Sequence, residues 1–153
     1  MKKSLGSIAE LKAFVGTPPV ISEPLAIGQD AIDVFADLTN DHQWIHVDPV
    51  RAAAESPFKG TVAHGFLTLS MVTAWYAQCF DFPNRKLALN YGFDKIRFTS
   101  PVPSESSLVA RFQLTRVDDV REHEVRCAWQ VDIRVQGAER PAVVAEWLIQ
   151  MRF

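Results

Sequence analysis

At 153 residues, with 48% apolar and 22% charged side chains, the chain has the size and composition of one globular domain with a core of normal extent. Sixteen basic against eighteen acidic residues give a net charge of -2 with no long run of either sign. That balance points neither to nucleic acid nor to an anionic membrane surface. The two cysteines, Cys79 and Cys127, lack metal-type spacing and sit in apolar segments, which reads as reduced, buried thiols in a cytoplasmic protein. Met1-Lys2-Lys3-Ser4 opens like a signal peptide, but no apolar h-region follows it. Without an internal repeat, low-complexity tract or linker, a single domain over residues 1–153 is expected.

The N-terminal third reads as helical. Ser7–Phe14 is a short helix expected at the surface, and Gln29–Leu38 carries Ile32, Phe35, Ala36 and Leu38 at helical spacing before a stop at Thr39-Asn40. Asp48-Pro49 is a helix start, with Asp at the N-cap and Pro at the first helical position, so Val50–Glu55 is a further short helix. From Thr61 to Phe80 no residue carries a formal charge, a stretch long enough to span a bilayer. Thr61, His64, Thr68, Ser70, Thr73 and Gln78 make it too polar for that role. Its apolar residues cover nearly all sides, so a helix over residues 62–80 is expected inside its own protein.

The C-terminal half shows what encloses that helix. Leu87–Tyr91 reads as a strand, and Lys95–Phe98 as extended before the Pro101-Val102-Pro103 break. Leu108, Ala110, Phe112 and Leu114 alternate with polar residues; so do the apolar residues of 124–135 and of 143–153. Asp118-Asp119 and Gln136-Gly137-Ala138 are the expected turns between these strands. The fold class that follows is α+β, an antiparallel meander whose apolar face wraps the 62–80 helix.

Two motifs carry chemistry. Asp41 and His46 fall in an expected loop between two helices; on one continuous helix a spacing of five would put them about 140° apart. A carboxylate able to fix and tune an imidazole is a common acid/base unit. The second motif, Ala63-His64-Gly65-Phe66-Leu67, sets a histidine and a glycine at the mouth of the uncharged helix. A phosphate-binding glycine loop, a nucleophile elbow and a close Cys/His metal cluster are all missing from the sequence. His42 and His46 stand four apart, as in helical zinc pairs, but in an expected loop and without the accompanying Glu; no metal is expected.

Phe35-Ala36-x-x-Thr39-Asn40-Asp41-x-x-x-x-His46-Val47-Asp48-Pro49, followed by Ala63-His64-Gly65-Phe66-Leu67, resembles the hydratase motif of MaoC-like proteins, the (R)-specific enoyl-CoA hydratases. Asn90–Phe98 with Pro101-Val102 resembles the strand entry after that family's central helix. The resemblance covers roughly residues 20–150 and implies a hot-dog fold, a long central helix wrapped by an antiparallel sheet. It implies that Asp41 and His46 hold and activate the water that adds to C3 of a trans-2-enoyl thioester. It further implies that the backbone N–H of Gly65 polarises the thioester carbonyl. Gln43-Trp44 stands where the family usually has Asn-Pro, and Thr73 stands where it often has serine. Gln43, Trp44, His64 and Thr73 are the residues expected to line or order the substrate site. For Thr73, a hydroxyl bonded to its own helix backbone is the competing role.

The expected reaction is interconversion of enoyl and (R)-3-hydroxyacyl thioesters, with no cofactor. The substrate would be an acyl-CoA or an acyl-carrier-protein thioester; Lys59, Arg85, Lys86, Lys95 and Arg97 are candidates for contact with CoA phosphates. Two alternatives remain, a hot-dog thioesterase and a non-catalytic acyl-binding subunit. Against hydrolysis, no Asp or Glu occurs from Ser56 to Phe80. An unpaired sheet edge in a single hot-dog unit favours association, and a homodimer is expected.

Overall fold

The alternating C-terminal segments form strands, as their period requires. In a computed structural model, which describes residues 2–153, the main elements in chain order are α1 (Ile8–Phe14), α2 (Gln29–Thr39), α3 (Trp44–Val47), α4 (Pro49–Glu55), α5 (Gly65–Ser70) and α6 (Val72–Cys79), then four long strands. Met1 lies outside the described residues. The short strands are β1 (Lys3–Ser4), β2 (Val20–Ile21), β3 (Leu25–Ile27) and β4 (Phe80–Asp81); the long ones are β5 (Leu87–Phe98), β6 (Ser106–Arg121), β7 (Glu124–Val135) and β8 (Val143–Arg152). The main sheet has the order β2-β6-β7-β8-β5, with β3 also paired to β6, and all of its pairings are antiparallel. β1 and β4 form a separate parallel pair.

The sheet wraps α5 and α6. Trp75 is fully buried, and the ring of Tyr76 meets Trp129 of β7, Trp147 of β8 and Phe112 of β6 edge-on at 5.1, 5.2 and 5.5 Å. Edge-to-face contacts of this kind add about 0.5–1.5 kcal/mol each beyond the area they bury. Trp129 pairs with Trp147 across the β7–β8 ladder, so the two largest sheet residues sit side by side beneath the helix. This is the hot-dog arrangement. No helix among the described residues is long and apolar enough to cross a membrane.

Several local expectations are corrected. The central helix starts at Gly65 and is broken at Met71. Ser70 Oγ donates to the Leu67 carbonyl at 2.8 Å, and Ala74 N–H reaches the Met71 carbonyl three residues back. Such side-chain back-bonding and local tightening bend a helix. Asp118-Asp119 is not a turn. Both residues lie inside β6 opposite Arg126 and Val125, and the chain reverses at Glu122-His123, where His123 takes φ 60°. The pairing with Arg126 and a salt bridge from Lys12 to Asp119 let two acidic residues continue the strand beyond the core. The two extended pieces around Asp94 form one strand, β5, with register shifts at Asn90/Gly92 and Phe93/Lys95. α1 is not merely superficial, because Leu11 is fully buried and Phe14 packs on Phe80 and Trp129.

Candidate active site

The site is assembled from three chain segments that converge at the start of α5. The first leaves α2 through Asn40, whose left-handed backbone (φ 57°) ends the helix. Asn40 and Asp41 both donate backbone N–H to the Ala36 carbonyl, so the chain folds back at once and Asp41 stays close to the helix it has left. The Asp41 side chain remains 55% exposed.

The second segment is α3, a single helical turn where a loop was expected. Its last turn carries His46, and its end is followed by the anticipated cap, Asp48 accepting from Arg51 N–H at 3.0 Å with Pro49 opening α4. α3 is pinned to the third segment by Val62 N–H donating to the Ile45 carbonyl at 3.0 Å. The side chain of His46 repeats that tie, with Nδ1 2.6 Å from the Val62 carbonyl oxygen. A carbonyl can only accept, so Nδ1 carries the hydrogen and Nε2 keeps the lone pair. Burial lowers the pKa of His46 below its ordinary value; the neighbouring His64 adds to this, while the bond to Val62 and the nearby Asp41 oppose it. The ring is thereby held as a neutral base at neutral pH.

The third segment runs through Val62-Ala63-His64 into α5. His64 is 3% exposed, stacks on His46 with ring centroids 3.8 Å apart and planes 25° apart, and lies against Phe35. Its Nε2 is 2.9 Å from the Asp41 carbonyl oxygen and 3.9 Å from the Asp41 carboxylate. Gly65 is the first residue of α5, where unpaired N–H groups and the positive end of the helix face outward. A Cβ built on Gly65 would come within 2.9 Å of the Phe98 ring, so any other residue there has to push that ring aside. Beside Gly65 opens a cavity of about 290 Å³ lined by Phe58, Thr68, Phe98, Val102 and Val143, among others.

Asp41, His46 and His64 each offer one ligand atom, all within 4.8 Å of one another, so the trio could in principle hold a metal ion. The near-parallel stack argues against it. In-plane lone pairs of two face-to-face imidazoles do not converge on one point about 2 Å from each. The arrangement is better suited to a water held between a carboxylate and an imidazole lone pair.

The other expected residues are placed differently. Gln43 is exposed and contributes its backbone carbonyl to His46 N–H. Trp44 is half-buried, with the Arg51 guanidinium 4.5 Å over its ring, on the side of α4. Thr73 is exposed on α6, donates to the Ser70 carbonyl at 3.3 Å, and lines a separate cavity with Tyr76, Asn90 and Trp147. The structure does not bring Thr73 to the Asp41–His46–Gly65 cluster. Sequence reasoning missed the Val62 carbonyl, which no side-chain pattern can signal. It also missed Gln29, whose amide donates to the His46 carbonyl at 2.7 Å and accepts from Thr61. Phe98 was visible only as part of a strand.

Residues 10–133 match the family model described as MaoC like domain. The chain is 40% identical over 148 residues, 97% of each protein, to 3-hydroxyacyl-thioester dehydratase Z of Mycobacterium tuberculosis. It is 39% identical to Nodulation protein N of Rhizobium meliloti, over 96% of this chain and 92% of that one. Among solved structures it resembles the unliganded R-hydratase PhaJ1 of Pseudomonas aeruginosa, with a TM-score of 0.67 and 25% identity over 88% of this chain and 79% of that one. The chain therefore belongs to the MaoC-like family of hydratase/dehydratase lyases.

Proposed function

We propose that the protein hydrates trans-2-enoyl thioesters to (R)-3-hydroxyacyl thioesters, and catalyses the reverse dehydration, on a single hot-dog unit. The observation that carries this reading is the position of the Asp41 carboxylate beside a His46 ring whose Nδ1 hydrogen is committed to Val62. Asp41 and His46 Nε2 hold a water. His46 accepts a proton from it as the oxygen adds to C3, the C2–C3 π pair shifts toward the thioester carbonyl, and a proton delivered to C2 completes the net addition of one water. Negative charge grows on the carbonyl oxygen, which the Gly65 N–H at the helix start receives; one such preorganised donor is worth about 3–4 kcal/mol of barrier. The cavity beside Gly65 takes the apolar part of the substrate.

The dehydratase relative of near-equal length supports the same reaction class. β5 supports the homodimer, since it is the edge strand of the sheet and exposes Leu87, Leu89 and Tyr91. Cys79 and Cys127 are both free and buried, and burial pushes their thiols up to about 11 and about 12, so they are poor nucleophiles at neutral pH. The test is absorbance at the enoyl-thioester band with crotonyl-CoA, alongside a free-thiol assay. Loss of absorbance without thiol release is the expected result. Thiol release would instead indicate a thioesterase, and no change a binding subunit.

A further inference from the structure

His64 was expected to line or order the substrate site, and a ring 3% exposed with one nitrogen committed to the backbone of Asp41 favours the ordering role. We propose that His64 is a positioning residue, which holds the backbone of Asp41 in place beside His46 and sets the plane of the His46 ring. The proposal rests on the hydratase reading above.

Three contacts define the role. The Asp41 carbonyl can only accept, so His64 Nε2 carries the hydrogen and donates across 2.9 Å. That bond ties the residue just beyond α2 to the residue that caps α5, and the Asp41 carboxylate adds a longer approach of 3.9 Å to the same ring. The stack at 3.8 Å then sets the plane of His46 from the side, while the Val62 carbonyl sets its rotation. One imidazole thus holds the chain at Asp41 and the ring of His46 next to each other.

A cost accompanies this arrangement. With Nε2 protonated, His64 Nδ1 keeps a lone pair, and it is buried without a hydrogen-bond partner among the described residues. An unpaired buried polar atom is rare and unfavourable, and an apolar residue of similar shape would avoid it. Filling space beneath His46 therefore does not explain a histidine here; the Nε2–H donor does.

Two variants separate the contributions. His64→Gln places an amide N–H where Nε2–H stood and loses the stack, whereas His64→Phe keeps the stack and loses the donor. His64→Phe is expected to lower kcat about 100-fold with KM nearly unchanged, because misalignment is felt in the transition state, and His64→Gln to recover most of that loss. Wild-type kcat in His64→Phe, or an equal loss in both variants, would overturn the proposal. If neither variant folds, long-range ¹⁵N NMR of the wild-type histidines decides the matter. His64 as the Nε2–H tautomer and His46 as the Nδ1–H tautomer are expected, and His64 as the Nδ1–H tautomer refutes the tie to Asp41. Wild-type turnover of crotonyl-CoA is the reference. Its absence removes the hydratase reading, while the tautomer measurement still decides whether His64 holds Asp41.

Discussion

The aromatic ring of Phe98 lies against Gly65, so close that a methyl group on Gly65 would meet it at 2.9 Å. The residue that opens the central helix and the last residue of β5 therefore fit only because one of them has no side chain. Gly65→Ala is expected to lose most activity and to lower Tm. Adding Phe98→Ala should return part of the Tm, since the two residues are in direct contact and their effects should not add. Thermal melts of the single and double variants check this. Additive losses would show that the ring is not what Gly65 accommodates.

Phe98→Ala alone enlarges the cavity beside Gly65, which Phe58, Val102 and Val143 also line. The expected outcome is a shift in kcat/KM toward longer or bulkier enoyl groups, read from a series of enoyl-CoA chain lengths. An unchanged ranking would place the acyl group elsewhere.

The Asp41 side chain is half-exposed and the bond from His64 goes to its backbone carbonyl, so Asp41→Asn should fold normally. His46→Asn places an amide N–H where Nδ1 stood, so it can still reach the Val62 carbonyl. Each is expected to reduce kcat by about 10²–10⁴-fold, the usual contribution of a positioned acid or base, with Tm nearly preserved. Activity close to wild type in either variant would sink the assignment of the water site.

The acid side of the pH profile follows from His46. Burial lowers its pKa, with His64 acting in the same direction and the Val62 bond and Asp41 against it. The neutral ring is the working form, so kcat/KM should hold until pH falls below the range of a free imidazole. Because the unfolded chain takes up this proton first, stability from the neutral buried ring is present above the free-imidazole value. It is lost as pH drops through the window down to the folded pKa. NMR titration of His46 measures the midpoint directly. It should lie below that of a free imidazole and fall further in Asp41→Asn, where the opposing negative charge is gone. A midpoint at or above the free value contradicts this account.

The edge strand β5 gives the remaining prediction. Light scattering should show twice the chain mass of 17.2 kDa, and Leu89→Lys should shift the protein toward monomer by placing a charge on the exposed edge. A monomeric wild type would refute the dimer.

The strands of residues 124–135 and 143–153 were legible because a period of two is a local property, and both ends of β7 fall where the alternation places them. The Asp48 cap was legible for the same reason, since cap and N–H are three residues apart. The turn at Asp118-Asp119 was misread because turn-forming residues also tolerate an exposed strand once a partner such as Arg126 stands opposite. Thr73 was placed by motif likeness alone, and its position on α6 sets it apart from Gly65.

For the site, the sequence by itself determined which groups are available: a carboxylate after a helix stop, an imidazole before a helix start, and a glycine at the mouth of an uncharged helix. The tertiary structure alone decided how they meet. The tautomer of His46 depends on a carbonyl sixteen residues away, the stack with His64 on the meeting of two segments, and the need for glycine at 65 on a ring from β5. Hydrogen bonds and ring contacts between distant segments leave no periodicity in the chain. Only folding makes them neighbours.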